Sequence, residues 1–142
     1  MSYLIDSSVW VSAMVEDENW HAQSSDLMDR PDCKVYVHAV SEVFSTLTGG
    51  RKGFRMPPNL VIQLIKEDYL PCVEIISMEI SEILESFFEC QGRGITGGAI
   101  YDYLHLVAAR MHNVEVLYTL NLSHFRAFWR PGDPEIRHPE QG

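Results

Sequence analysis

Short apolar runs alternate along this chain with longer segments whose apolar residues recur at helical spacing. The short runs are typical of buried strands. The predicted strands are Tyr3–Ile5, Val35–Val37, Val73–Ile76 and Val114–Tyr118. A further short edge strand is predicted near Ile136, within a tail that is rich in proline and glycine.

The longer segments predict helices, because their apolar residues would line one face at 3.6 residues per turn. Four of them are Ser7–Met14, Val40–Leu47, Met78–Phe88 and Ile100–Met111. Another is capped by Asn19 and runs to Met28, and another begins at Pro57 and continues through Ile65. The four glycines between Gly92 and Gly98 predict a flexible approach to the helix at Ile100–Met111. Strands that alternate with helices favour a parallel sheet with helices on both faces.

The composition is that of an ordinary globular protein. A length of 142 residues suits one domain, 1–142, and 46% of the residues are apolar while 22% are charged. No apolar run approaches the length of a membrane span, and the N-terminus has no signal-peptide pattern, so we expect a cytoplasmic protein. Cys33, Cys72 and Cys90 lack the spacing of metal-ligand pairs, which favours reduced thiols.

The formal net charge of −9 argues against a protein that holds nucleic acid by a basic surface alone. Two interpretations remain. The acidic residues gather in a metal site whose cations attract phosphate, or the acidic surface meets a basic protein partner.

Two acids fall where a parallel sheet binds its ligands. Asp6 closes the first strand, and ligands of such sheets lie beyond the carboxyl ends of the strands. Asp6 would equally serve as an N-cap for the next helix. Glu42 lies in the first turns of its helix, about 200° around the axis from the apolar Val40. Its alternative is a solvated acid stabilised by the helix dipole.

A third acid, Asp102, falls within a second apolar stripe of its helix, beside Ala99, Leu106 and Ala109. An ionised carboxylate on a buried face requires a cation or a set of hydrogen-bond donors, and a buried pairing with arginine is the alternative. Because this helix leads back to the sheet, its start should lie at the same edge as the other two acids. Three carboxylates there predict a site for a hard cation such as Mg²⁺, which suits phosphodiester cleavage.

Four segments together resemble the signature motifs of PIN domains, in particular the VapC-type toxins of bacterial toxin–antitoxin pairs. They are Ile5–Trp10, Ser41–Val43, Gly97–Leu106 and Tyr118–Phe125, and their order and spacing match over nearly the whole chain. The resemblance implies an α/β fold, a three-layer α/β/α sandwich with a central parallel sheet. It also implies an endoribonuclease that depends on Mg²⁺ or Mn²⁺, an RNA substrate, an antitoxin partner that blocks the site, and usually a homodimer.

The resemblance also carries over to single residues. Asp6, Glu42 and Asp102 match the family's first three catalytic, metal-binding acids. Asn121 stands where many members have a fourth, so it is assigned to the catalytic group as a neutral oxygen ligand, which weakens a two-metal site more than a one-metal site. Ser8 and Thr119 match hydroxyl residues of the motifs and are predicted to contact substrate.

Other polar residues are candidates for substrate contacts. Arg93, between two glycines ahead of the last long helix, is predicted to contact phosphate, with a solvated turn residue as the alternative. His124 lies in the last motif and is predicted to touch substrate, whereas His105 is expected to pack or hydrogen-bond in its helix. Proton transfer at neutral pH is the alternative for both histidines. The basic stretch 51–55, which includes Phe54, is either an RNA contact or a solvated loop.

Two other functions stay open. The same fold with Asn121 in place of an acid could be a catalytically impaired module that binds RNA or protein. A phosphatase or phospho-acceptor domain with Asp6 as its nucleophile would typically have a second Asp two residues later, where this chain has Ser8. Metal-dependent cleavage of RNA separates the ribonuclease from the binding module, and phosphate trapped on Asp6 would favour the third.

Overall fold

A five-stranded sheet of wholly parallel strands forms the centre of the protein in the computed structural model, which describes residues 1–50, 53 and 55–142. The strands are β1 (Tyr3–Ile5), β2 (Cys33–Tyr36), β3 (Glu74–Ile76), β4 (Val116–Tyr118) and β5 (Glu135–Arg137), in the spatial order β3-β2-β1-β4-β5. The last residue of β1, Ile5, pairs with Val35 of β2 and with Tyr118 of β4. The carboxyl ends of these three strands therefore meet at one edge.

Helices connect the strands and cover both faces of the sheet. They are α1 (Ser7–Met14), α2 (His21–Asp29), α3 (His38–Gly49), α4 (Pro58–Leu64), α5 (Ile80–Arg93), α6 (Ala99–Met111) and α7 (Leu122–Phe128). A π turn (Ile65–Tyr69) and a 3₁₀ turn (Leu70–Cys72) extend α4, and a second 3₁₀ turn (Pro139–Gln141) closes the chain.

Alternation along the central strand separates two hydrophobic cores. Tyr3 and Ile5 of β1 pack with helices α1 to α4, whereas Leu4, between them, packs with α6 and α7 on the opposite face. Ile83 of α5 contacts the second core. This arrangement confirms the predicted α/β/α sandwich with a central parallel sheet.

Most predicted elements are present, with corrections at their ends. The edge strand predicted at Ile136 is β5. The N-cap predicted at Asn19 was wrong: α2 begins after Trp20, whose backbone is left-handed (φ 68°), because the Asn19 carbonyl accepts a hydrogen bond from Ser12 Oγ at 2.7 Å and the chain turns one residue later. The glycine approach is shorter than expected, since α5 continues to Arg93 and ends at Gly94 (φ 67°).

One helix, α7, was not predicted. Its apolar residues Leu122, Phe125 and Phe128 recur every three residues and contact the second core, but it is only 7 residues long and lies in a tail rich in proline and glycine. No helix in the described part of the chain is long and apolar enough to cross a bilayer. Of the basic stretch, Arg51, Lys52 and Phe54 lie outside the described residues, so its RNA contact stays a prediction.

The fully buried Leu117 of β4 provides a test of this core. We expect Leu117→Ala to lower the free energy of unfolding by about 2–5 kcal/mol, because it removes buried methyl groups and leaves a cavity between sheet and helices. Leu60→Ala in α4, where the side chain is 39% exposed, is the matched control and should cost less than about 1 kcal/mol. Urea titration measures both, and equal losses would contradict the assignment of Leu117 to the core.

Candidate active site

The Asp6 carboxylate lies at the carboxyl edge of the sheet and is almost completely buried, at 2% exposure. It caps α1, since its Oδ1 accepts a hydrogen bond from the Val9 amide at 3.1 Å. The same oxygen accepts from Ser8 Oγ at 2.6 Å, and Oδ2 accepts from Thr119 Oγ1 at 2.6 Å. The predicted N-cap is thus present, and it leaves the Asp6 carboxylate at the sheet edge where a ligand site is predicted.

Burial raises the pKa of Asp6 above its ordinary value of 3.8, although the charge of His105, the two hydroxyls and the Val9 amide all oppose the shift. Since the pKa is raised in the folded state, ionisation of Asp6 works against folding as the pH rises through that value. A positive charge beside the carboxylate would offset this cost.

Glu42 and His105 form a close pair next to Asp6. Glu42, one turn into α3, has a side chain that is 22% exposed, and its Oε1 accepts from Nε2 of the fully buried His105 at 2.7 Å. Ser7 Oγ donates to the other carboxylate oxygen at 3.2 Å. Burial alone would raise the pKa of Glu42, but the hydrogen bond and charge of His105 exceed that effect and lower it.

His105 is the group on which the three acids converge. Burial opposes its protonation, but the hydrogen bond and charge of Glu42 and the charges of Asp6 and Asp102 together raise its pKa above 6.5. Its Nδ1 is buried without a hydrogen-bond partner among the described residues, so its direct link to the site runs through Nε2. One imidazole thus hydrogen-bonds to Glu42 and lies within the electrostatic influence of Asp6 and Asp102.

Asp102 is less buried than the sequence predicted. Its side chain is 24% exposed, because it lies in the first turn of α6 at the open edge of the sheet, and its Oδ2 accepts from Nδ1 of His124 at 3.2 Å. His124, from α7, is 66% exposed and lies at the surface of the site. Its predicted contact with substrate stays a prediction.

Residues of the last motif, Tyr118–Phe125, hold Asp6 and Ser8 in place through hydrogen bonds. Ser8 Oγ accepts from the Leu120 amide at 3.1 Å, and Thr119 Oγ1 accepts from the Asn121 amide at 2.9 Å. Thr119 is completely buried and its hydroxyl holds Asp6, an arrangement that suits positioning of the carboxylate; its predicted contact with substrate stays a prediction. Ser8 and the exposed Asn121 line a cleft of about 290 Å³, where both remain candidates for substrate contact; the other lining residues are Ser7, Val11, Thr46 and Leu120.

Arg93 is engaged elsewhere. Its Nη1 donates to the Phe128 carbonyl at 3.1 Å, and its guanidinium lies 5.3 Å from the centre of the Tyr103 ring. Its side chain is only 18% exposed. It also pairs with Glu89 at 3.8 Å, whereas no contact within the described residues joins it to Asp6, Glu42 or Asp102, because it ends α5 rather than preceding α6 in an open turn. Its phosphate contact stays a prediction.

The donor set fits a hard divalent cation in its chemistry, since it offers carboxylate, amide and hydroxyl oxygens and a buried carboxylate that lacks a full counter-charge. Among the described residues, no three His, Cys, Asp or Glu side chains are close enough to hold a metal by themselves. Mg²⁺ typically uses only one or two carboxylates and completes its shell with water and phosphate. The arrangement therefore suits Mg²⁺ better than it suits an ion that must be enclosed entirely by protein ligands.

Sequence reasoning missed two members of the site. His105 was expected to pack or hydrogen-bond in its helix, with proton transfer as the alternative, and its contact with Glu42 was not predicted, although it is three residues after Asp102 and therefore on the same helix face. Ser7 was not considered, although it neighbours both Asp6 and Ser8. The spacing of His105 is a signal that could have been read; the contact of Ser7 with Glu42, 35 residues away, has no local signal.

Titration of His105 tests this electrostatic arrangement. In the metal-free protein its pKa should lie above 6.5, so the stability it contributes is present below pH 6.5 and is lost as the pH rises through the folded value. Glu42→Gln should lower the pKa of His105, because it removes the negative charge that favours the protonated ring while the ring stays buried. Histidine NMR measures both, with the exposed His112, which contacts the Ser77 carbonyl, as internal control. An unchanged His105 midpoint in Glu42→Gln would contradict the pairing.

Comparison with known proteins agrees with this geometry. Residues 3–128 match the model of the PIN domain family. The chain is 26% identical over 112 residues to ribonuclease VapC27 of Mycobacterium tuberculosis. The matched region covers 79% of this chain and 80% of that protein. Its fold is similar to that of M. tuberculosis VapC20, a sarcin–ricin loop cleaving toxin (TM-score 0.69, 12% identity, 94% and 100% coverage), and to a toxin–antitoxin complex from Klebsiella pneumoniae (TM-score 0.65, 20% identity, 97% and 98% coverage). Since the family model spans most of the chain, including every acid of the site, the protein belongs to the PIN domain family.

Proposed function

We propose that this protein is a divalent-metal-dependent endoribonuclease and acts as the toxin of a toxin–antitoxin pair. The observation that carries the proposal is the buried Asp6 carboxylate, held at the sheet edge of a PIN domain by Ser8, Thr119 and the Val9 amide, with the Glu42–His105 pair at the same edge. The similarity to ribonuclease VapC27 supports RNA as the substrate.

Asp6 with Asp102 or Glu42 would hold the cation, with water and phosphate completing its shell and Asn121 as a weaker neutral ligand from the adjacent cleft. When bound, Mg²⁺ or Mn²⁺ would supply activation of water and neutralisation of charge on the phosphate. The uncharged Asn121 favours one firmly held ion over two, because a second ion would lack a carboxylate on that side.

The remaining groups of the site position the carboxylates or contact the RNA. Thr119 and Ser8 fix both oxygens of Asp6, and Ser7 and His105 fix those of Glu42. His124 turns Nδ1 toward Asp102, which leaves Nε2 of this exposed ring available to substrate; in the protonated ring Nε2 can donate a hydrogen bond to a phosphate oxygen.

An antitoxin is the proposed protein partner. An apolar groove of about 470 Å³ runs between α3 and the α4 region and is lined by Val40, Ser41, Phe44, Ile62, Ile65, Lys66 and Leu70. Ser41 also lines a cleft beside Glu42, so a segment lying in the groove can reach the carboxylates. The net charge of −9 favours a segment that presents Arg or Lys to them.

A homodimer is also proposed, and the exposed apolar residues of α5, among them Ile80 and Phe88, are a surface suited to it.

Cleavage of RNA by purified protein tests the enzymatic proposal. Chelator should abolish cleavage, and added Mg²⁺ or Mn²⁺ should restore it. Asp102→Asn should reduce the rate by about 100-fold or more, because it deletes a charged ligand, and Thr119→Val by about 10–100-fold, because Asp6 loses a positioning hydrogen bond. Asn121→Ala should cost less than either, and Asn121→Asp should tighten metal binding.

Asp26→Asn is the matched control, since Asp26 pairs with Arg30 on the exposed face of α2, and it should cleave at the normal rate. Cleavage that persists in chelator would refute the metal mechanism. RNA binding without any cleavage would instead favour the impaired binding module. If Asn121→Ala proves as damaging as Asp102→Asn, the ranking of the acids over Asn121 is wrong.

A further inference from the structure

A stacked pair of aromatic rings lies beside the carboxylates and has no part in either core. The rings of His38 and Tyr101 are nearly parallel, with planes 11° apart and centres 4.8 Å apart. Tyr101 is 47% exposed, whereas the other five tyrosines, all among the described residues, are buried or partly buried. Core packing therefore does not explain this pair.

Both rings stand on helices that carry acids of the site. His38 begins α3 and lies one turn before Glu42, and Tyr101 directly precedes Asp102 in α6. The pair thus bridges the two helices at the sheet edge, and its position relative to the carboxylates is fixed by two rigid elements rather than by a loop.

The pair forms one wall of a cleft of about 380 Å³ next to Glu42. Ser41, Ser45 and Thr46 complete the lining, and their hydroxyls can both donate and accept hydrogen bonds. The volume lies within the range of about 300–1,000 Å³ that is usual for small-ligand pockets. Thr46 also lines the cleft that contains Ser8 and Asn121, so the two clefts adjoin through this residue.

We propose that His38 and Tyr101 form a stacking platform for an unpaired nucleobase of the RNA, adjacent to the bond that is cut. The serine and threonine hydroxyls of the cleft would bind the base edge or the ribose. The inference rests on the proposed ribonuclease function and deepens it, since it specifies single-stranded RNA: bases inside a duplex stack on one another and cannot reach the platform.

The charge of the protein makes such a platform useful. A chain of net charge −9 gains little from attraction to the phosphate backbone, whereas stacking of a base on an aromatic ring does not depend on net charge. Affinity for RNA should therefore depend strongly on the rings, and loss of one stacked base should weaken binding by about 5- to 100-fold.

The test uses the full chain and short random-sequence single-stranded RNAs in which 2-aminopurine replaces adenine, with chelator present so that no RNA is cut. Stacking quenches 2-aminopurine fluorescence. We expect quenching with the native protein and with Tyr101→Phe, which keeps the ring. Tyr101→Leu should lose most of the quenching and bind about 5- to 100-fold more weakly. Trp20→Leu is the matched control and should behave like the native protein, because this 37% exposed ring contacts His138 and lines neither cleft.

Fluorescence quenching tests the stacking platform, whereas cleavage with added metal tests the ribonuclease proposal, so either can fail without the other. No quenching by the native protein, or equal quenching and affinity in Tyr101→Leu, would overturn the platform even if metal-dependent cleavage is normal. Absence of cleavage by the native protein on addition of Mg²⁺ or Mn²⁺ would refute the ribonuclease, and the quenching would still decide whether Tyr101 stacks on a base. Equal loss in Trp20→Leu would indicate non-specific contact and also overturn the platform.

Discussion

Burial of the Asp6 carboxylate is the constraint on which the site depends. An acid at 2% exposure is stable only if donors surround it, and here those donors come from distant parts of the chain: the first turn of α1 and Thr119, 113 residues later. The hydrogen bonds that satisfy Asp6 therefore also join the start of α1 to the end of β4. Because its pKa is still raised, these neutral donors leave a negative charge incompletely compensated, which is the property that a cation site requires.

The imidazole of His105 supplies part of the missing positive charge. It hydrogen-bonds to Glu42 and interacts electrostatically with Asp6 and Asp102, so the acids are held near one another although they repel. Under the proposed function, a divalent cation and protonated His105 draw on the same carboxylates. Metal affinity should then rise with pH as His105 loses its proton.

The order of strands and helices followed from the sequence because apolar periodicity is a local signal, and the three acids could be placed because parallel strands bring their carboxyl ends to one edge. The start of α2 at Trp20 rather than Asn19 depends on a hydrogen bond across the α1–α2 turn, and α7 depends on packing against the second core. The roles of His105 and Thr119 depend on contacts 63 and 113 residues away, which no local pattern contains.

The most direct test of the account is to locate a cation in crystals of the protein soaked with Mn²⁺. Anomalous diffraction should place Mn²⁺ within coordination distance of a carboxylate oxygen of Asp6, with Asp102 or Glu42 as a further ligand and water completing the shell. The same soak of Asp6→Asn crystals should give a weaker peak or none. A strong Mn²⁺ peak away from these acids, or none at saturating Mn²⁺, would contradict the claim that this edge of the sheet is a divalent-metal site.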